Sequence, residues 1–263
     1  MPLCSDHARG RTARYDGSRP PRVNCSGCWA IWDTSNTRDE TPVPIGLPDS
    51  IAELKDFRKL SDQGKQRVLL GNDKFRIVGY DIEATHLKPN VGRVLCCSFK
   101  PLHGAVYTFN GLDKRFRRPD VYDDGALAEA IRDELETYDI IVGWNSKNFD
   151  TKFINARAMR AGGRTKVAQY QIDGMWSWRS KFNAWSGLDA VQKFALPGAD
   201  TQKTSVAWDQ WMRALGWDKT LREAAMAEIV DHCERDVVVL EDVYVTMVKA
   251  GVFRSLRKDG GIL

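Results

Sequence analysis

No apolar run in this chain approaches the ~18 residues that a membrane-spanning helix needs. The opening stretch, MPLCSDHARGRTARYDG, has none of the apolar core of a secretory leader. Glycine, proline and charge are not in excess: 21 Gly, 10 Pro and 28% charged residues exclude collagen, a long coiled coil and wholesale disorder. Internal repeats and low-complexity tracts are missing too. Neither sign of charge dominates, since 39 Lys and Arg face 35 Asp and Glu for a net +4. Such a balance admits a nucleic-acid partner only if the charge is clustered. What is left is a globular protein, expected to be soluble and cytoplasmic, with no membrane partner.

Lysine is absent until Lys55, whereas the first 45 residues hold six Arg. They also contain Gly17-Ser18-Arg19-Pro20-Pro21 and little apolar periodicity, so this piece cannot bury a core of its own. Its cysteines are spaced suggestively. Cys4-x₂-His7 and Cys25-x₂-Cys28 form two short pairs 17 residues apart, and four S/N ligands suit tetrahedral Zn²⁺. A metal would supply the folding energy that the missing core cannot. Residues 1–45 are therefore expected to be a zinc-binding module. A linker or helical segment is expected over 46–72 and a second domain over 73–255. Cys96, Cys97 and Cys233 read as packing residues.

From Phe75 onward the pattern alternates strands and helices. Phe75–Tyr80, Arg93–Phe99 and Ala105–Phe109 read as a three-stranded meander. An amphipathic helix over Asp124–Tyr138 follows, with Leu127, Ile131 and Leu135 four apart. Then come a strand over Asp139–Trp144, a helix over Phe153–Ala161 and a short strand ending at Asp173. Helices are expected over 188–194, 204–215 and 221–227, and a long last one over 228–250. This is an α/β order with a mixed five-stranded sheet flanked by helices.

Carboxylates fall where these elements end. Asp81 and Glu83 directly follow the first strand and, two apart, point to the same side. Like charges side by side are costly without a cation, and oxygen pairs are what Mg²⁺ or Mn²⁺ prefers. Asp150 lies in the loop between a buried strand and a helix, where α/β folds place their sites; helix capping is its alternative role. On the last helix His232 and Asp236, four apart, share one face.

Taken together, Asp81-Ile82-Glu83, Asn145-x₃-Phe149-Asp150 and His232-x₃-Asp236 resemble the motifs of the DEDD 3'→5' exonuclease superfamily. This is the ribonuclease-H-like group that includes the proofreading domains of DNA polymerases. The resemblance covers about residues 75–250. It implies a ribonuclease-H-like sheet and four metal-binding carboxylates at Asp81, Glu83, Asp150 and Asp236. It also implies two Mg²⁺ or Mn²⁺ ions and hydrolysis of phosphodiester bonds from a 3' end, with DNA favoured. His232 takes the place of the general base, although its spacing to Asp236 is that of the family's tyrosine. A second departure is Ala84 where the family has Thr, with Thr85 one later. Thr85, Leu87, Asn145 and Phe149 correspond to residues that contact or brace the terminal nucleotide. A polymerase or other replication or repair protein on a separate chain is a further implied partner. An RNA-processing nuclease of the same fold, or a non-catalytic nucleic-acid-binding module, is the alternative.

One more absence bears on the substrate. No acidic residue lies between Asp150 and Asp173, a stretch that holds Lys152, Arg157, Arg160, Arg164 and Lys166. Asp113–Arg118 forms a second basic loop. Clustered cations bind phosphates independently of sequence by releasing counterions. Lys152 and Arg157 are the expected phosphate contacts, and exposed tryptophans among Trp176, Trp178 and Trp185 are candidates for base stacking.

Overall fold

The computed structural model describes residues 51–71, 74–120, 122–165, 170–199, 204–254 and 256. A five-stranded sheet forms its centre, in the order β3-β2-β1-β4-β5. Strands β1 (Ile77–Ala84), β2 (Val94–Pro101) and β3 (Tyr107–Asn110) make the expected antiparallel meander. Strands β4 (Ile140–Gly143) and β5 (Tyr170–Asp173) join β1 in parallel. Parallel neighbours need crossovers, and helices supply them. Helix α2 (Gly125–Glu136) leads into β4, and α3 (Asp150–Arg160) leads out of it.

The period-2 alternation of β1 sends its residues to two different layers. Val78, Tyr80 and Ile82 pack with Leu127, Ile131 and Leu135 of α2 and with Phe153 and Ile154 of α3. On the opposite face lies α7 (Lys219–Lys249), whose Val239, Leu240, Val243 and Met247 are buried with Ile77 and Ile140. Gly79 sits directly under Leu240, so Asp81 and Glu83, two and four residues on, also face α7.

Residues 51–70 take the helical form of the two expected for the 46–72 segment. A 3-10 helix (Ile51–Lys59) and α1 (Asp62–Leu69), which Ser61 caps, bury Leu54, Phe57, Leu60, Val68 and Leu69 in the α7-side core. The helices expected over 221–227 and 228–250 are one helix, α7, because no Gly or Pro interrupts the sequence between them. The helix expected over 204–215 is shorter, α6 (Trp208–Arg213). Helices α4 (Gly174–Phe182) and α5 (Leu188–Ala195) complete the described elements. Among the described residues, no helix is long and apolar enough to cross a membrane. Residues 1–45, with Cys4, His7, Cys25 and Cys28, lie outside the described residues.

Candidate metal centre

Asp81 and Glu83 do not follow β1 but belong to it. Ser98 and Cys96 of β2 pair opposite them, so hydrogen bonding carries the strand to a bulge after Glu83. This fixes both carboxylates on the face that α7 covers. Glu83 Oε1 lies 3.5 Å from His232 Nε2, which in turn is 4.0 Å from Asp236 Oδ2. One ligand atom from each of Glu83, His232 and Asp236 lies within 4.8 Å of the others. The same holds for Asp81, Glu83 and Cys233, so Glu83 joins the two groups.

Asp150 arrives from the far side of β1. Pairing between β1 and β4 ends at Gly79 and Val142, and the Ile82 N–H beyond it donates to Asp150 Oδ1 at 3.2 Å. Asp150 is the first residue of α3, after Phe149 at the cap position, and its carboxylate ties the start of that helix to β1. Asp150 and Asp236 are both buried. Gathering Asp81, Glu83 and the buried Asp236 on one face is costly unless cations compensate them, and Asp150 joins β1 from its β4 side at Ile82.

The loop that delivers Asp150 is tightly built. A side chain on Gly143 would fall 2.4 Å from Ser146, so only glycine lets the chain fold back after β4. Asn145 follows in the left-handed region at φ +62°. Asp173 caps α4 through the Trp176 N–H, and its carboxylate also accepts from the Asn145 and Lys147 N–H groups. Burial pushes the Asp173 carboxyl up, while these backbone donors pull it back. Beneath the loop, Gln171 Nε2 donates to the hydroxyls of Tyr80, Ser146 and Thr151. Burial and the charge on Asp150 push the Tyr80 phenol well above its ordinary value, so it stays protonated.

Three further residues at the site lack a signal in the sequence. Trp211 Nε1 donates to Glu83 Oε2 at 3.2 Å, and its ring meets His232 edge-on at 6.5 Å. Thr204 Oγ1 lies 2.8 Å from His232 Nδ1. Both come from the segment around α6, whose residues read as an ordinary helix. Cys233, expected only to pack, donates its thiol to the Asp81 carbonyl and to Asp81 Oδ2, at 3.4 and 3.6 Å. Burial and the neighbouring Cys96 hold that thiol well above its usual value, so it is a protonated donor rather than a thiolate.

The other expected contacts divide. Leu87 and Lys152 are exposed, and Asn145 and Phe149 are half-buried, Phe149 against Phe153 at 5.5 Å. Thr85 is buried and closes the β1–β2 loop, its Oγ1 accepting from the Arg93 N–H. Arg157 must be corrected. It is buried in a two-pronged ion pair with Asp124, and its third nitrogen reaches the Pro89 carbonyl. A guanidinium buried against Asp124 in this way is closed off from a phosphate in solvent. Arg164 and Arg115 are likewise held, by Glu136 and Asp113. Lys114, Arg117, Arg118, Lys152 and Arg160 are exposed, whereas Lys166 lies outside the described residues.

A mixed sheet in the order 3-2-1-4-5, with carboxylates gathered on its central strand and the flanking helices, defines a ribonuclease-H-like α/β domain. A family model described as RNase_H superfamily matches residues 78–248, and the chain belongs to that family. No curated protein matches the chain. One solved structure to which it is similar is the family B DNA polymerase from the hyperthermophilic archaeon Pyrobaculum calidifontis, at 16% identity and a TM-score of 0.47. That similarity spans 68% of this chain and 27% of the polymerase chain.

Proposed function

We propose that this protein is a metal-dependent 3'→5' exonuclease that hydrolyses phosphodiester bonds of nucleic acid, with DNA the favoured substrate. The observation that carries this reading is the clustering of Asp81 and Glu83 from β1 with His232 and Asp236 from α7, beside which α3 ties Asp150 to β1 at Ile82. Family membership supports a nuclease, and the spacing of the three motifs supports the DEDD group within it.

The donors suit hard divalent cations. They are carboxylate oxygens and the imidazole nitrogen of His232, and the one sulfur among them is a protonated thiol occupied with Asp81. Asp81, Glu83 and Asp236 would hold one Mg²⁺ or Mn²⁺, and Asp81 with Asp150 a second. Cations held there would supply charge neutralisation for a scissile phosphate and would lower the pKa of a water. His232 is the base. With Nδ1 engaged by Thr204, its Nε2 faces Glu83 and Asp236 and takes the proton of the attacking water. Trp211 orients Glu83 through its indole N–H. Asn145, Phe149 and Leu87 would position the terminal nucleotide. The N-terminal Cys4, His7, Cys25 and Cys28 we assign to one structural Zn²⁺.

Labelled DNA and RNA, single- and double-stranded, should be incubated with the full chain and Mg²⁺ or Mn²⁺, and the products sized over time. Stepwise shortening from the 3' end, stopped by EDTA, is expected. Internal cuts, or shortening that survives EDTA, would overturn the reading. The same gel separates DNA from RNA, a choice that rests on contacts to the 2'-hydroxyl.

A further inference from the structure

At the open edge of the sheet, a polar recess lies apart from the carboxylates. A cavity of about 450 Å³ opens between β5, α4 and the segment after α7, with Lys147, Trp176, Ser180, Lys181 and Arg254 among its lining residues. It shares Lys181, Phe253 and Arg254 with a neighbouring recess of about 780 Å³, which Arg58 and Lys65 also line. The two make one continuous groove with five basic side chains. Its two acids offset part of this charge. Asp62 pairs with Lys65 at 3.4 Å, and the buried Asp173, its oxygens on three backbone N–H groups, attracts Lys147. Five basic side chains against two acids leave the groove net positive.

The groove also offers an aromatic face. Trp176 is 44% exposed, and Trp185 beside it is 53% exposed, with ring centroids 6.0 Å apart. The Arg179 guanidinium sits over Trp185 at 3.9 Å and reaches Trp176 at 5.9 Å. Leaving large aromatics exposed beside cations has a use where unpaired bases stack and phosphates follow the charge. One end of the groove is lined by Lys147, which belongs to the loop that runs from Asn145 into Asp150.

We infer that this groove binds single-stranded nucleic acid along the β5 edge, with Lys181 and Arg254 on phosphates and Trp176 under a base. The inference deepens the exonuclease reading and rests on it for the class of ligand. A duplex keeps its bases stacked and cannot use the indole. An acidic peptide gains charge contacts but no stacking.

The test is binding of a fluorescein-labelled 16-nucleotide single strand to the full chain in EDTA, followed by anisotropy over a range of salt. Lys181→Ala with Arg254→Ala should weaken binding roughly tenfold at low salt and flatten the log–log salt slope by about 1.4, twice the ~0.7 that each phosphate contact contributes. Trp176→Ala should weaken it by roughly tenfold, and Trp176→Phe should retain most of the affinity. Thermal denaturation checks that each variant folds like the parent. Unchanged affinity and slope in a folded double variant would overturn the groove, as would equal competition by duplex or poly-glutamate. Strand binding in EDTA by a protein that never shortens a strand would remove the exonuclease reading and leave the groove standing. Shortening by a protein whose strand affinity ignores both cations would do the reverse.

Discussion

Glu83 is held at both oxygens, by His232 at Oε1 and by the Trp211 indole at Oε2. Its carboxylate is thus aimed before any substrate arrives, which is what a metal ligand requires. His232 is fixed from behind by Thr204, so its ring can neither flip nor swing away without losing that bond. Replacing His232 with alanine should lower the hydrolysis rate about 10²-fold or more, measured under single-turnover conditions. A parent-like rate would reassign the base. Trp211 and Thr204 were not visible as site residues in the sequence. Neither belongs to a motif, and each reaches the site only because α6 folds back over α7.

Among the elements, β1 and α7 make the site. β1 continues through Asp81 and Glu83 because β2 hydrogen-bonds them, and α7 lays Cys233, His232 and Asp236 across the same face. The carboxylates and their three segments were legible because chemistry forced unusual residues onto otherwise apolar elements. Much of the fold was legible too, since the meander and the α2 stripe follow from periodicity alone. Less legible was the role of single cations. Arg157 sits in a basic stretch on α3, yet its side chain turns inward to Asp124 on the start of α2, and Asp124 also accepts from the Val94 N–H. Charge counting along a sequence does not say which face a helix turns inward. Arg157→Ala should therefore act on stability rather than on binding. It should cost about 3–5 kcal/mol in denaturant unfolding, because it leaves a buried carboxylate uncompensated. A variant as stable as the parent but poorer at binding strands would return Arg157 to the nucleic-acid contacts.

Across the whole molecule, the mild net charge of +4 conceals separated groups: carboxylates gathered on the α7 face of the sheet, and cations along the β5 edge and on exposed loops. A metal centre attracts cations and a groove attracts phosphates, so this separation suits a metal-dependent nuclease. Length divides as well. The domain built on the sheet takes in residues 51–70, which join its core instead of linking to it. The Arg-rich first 45 residues hold the proposed zinc ligands. Elemental analysis of the purified chain should find about one Zn per molecule, lost in Cys25→Ser with Cys28→Ser. Zinc-free protein would leave that segment without the metal its composition calls for.

The central claim is that carboxylates from separate segments act as one metal-binding set, and Asp81 is the member that both cations would share. The most direct measurement is the rate at which Asp81→Ala shortens a 3'-ended single strand in Mg²⁺ or Mn²⁺, set against the parent at equal concentration and equal thermal stability. The rate should fall to that of the EDTA control. A variant that degrades the strand as fast as the parent would contradict the account.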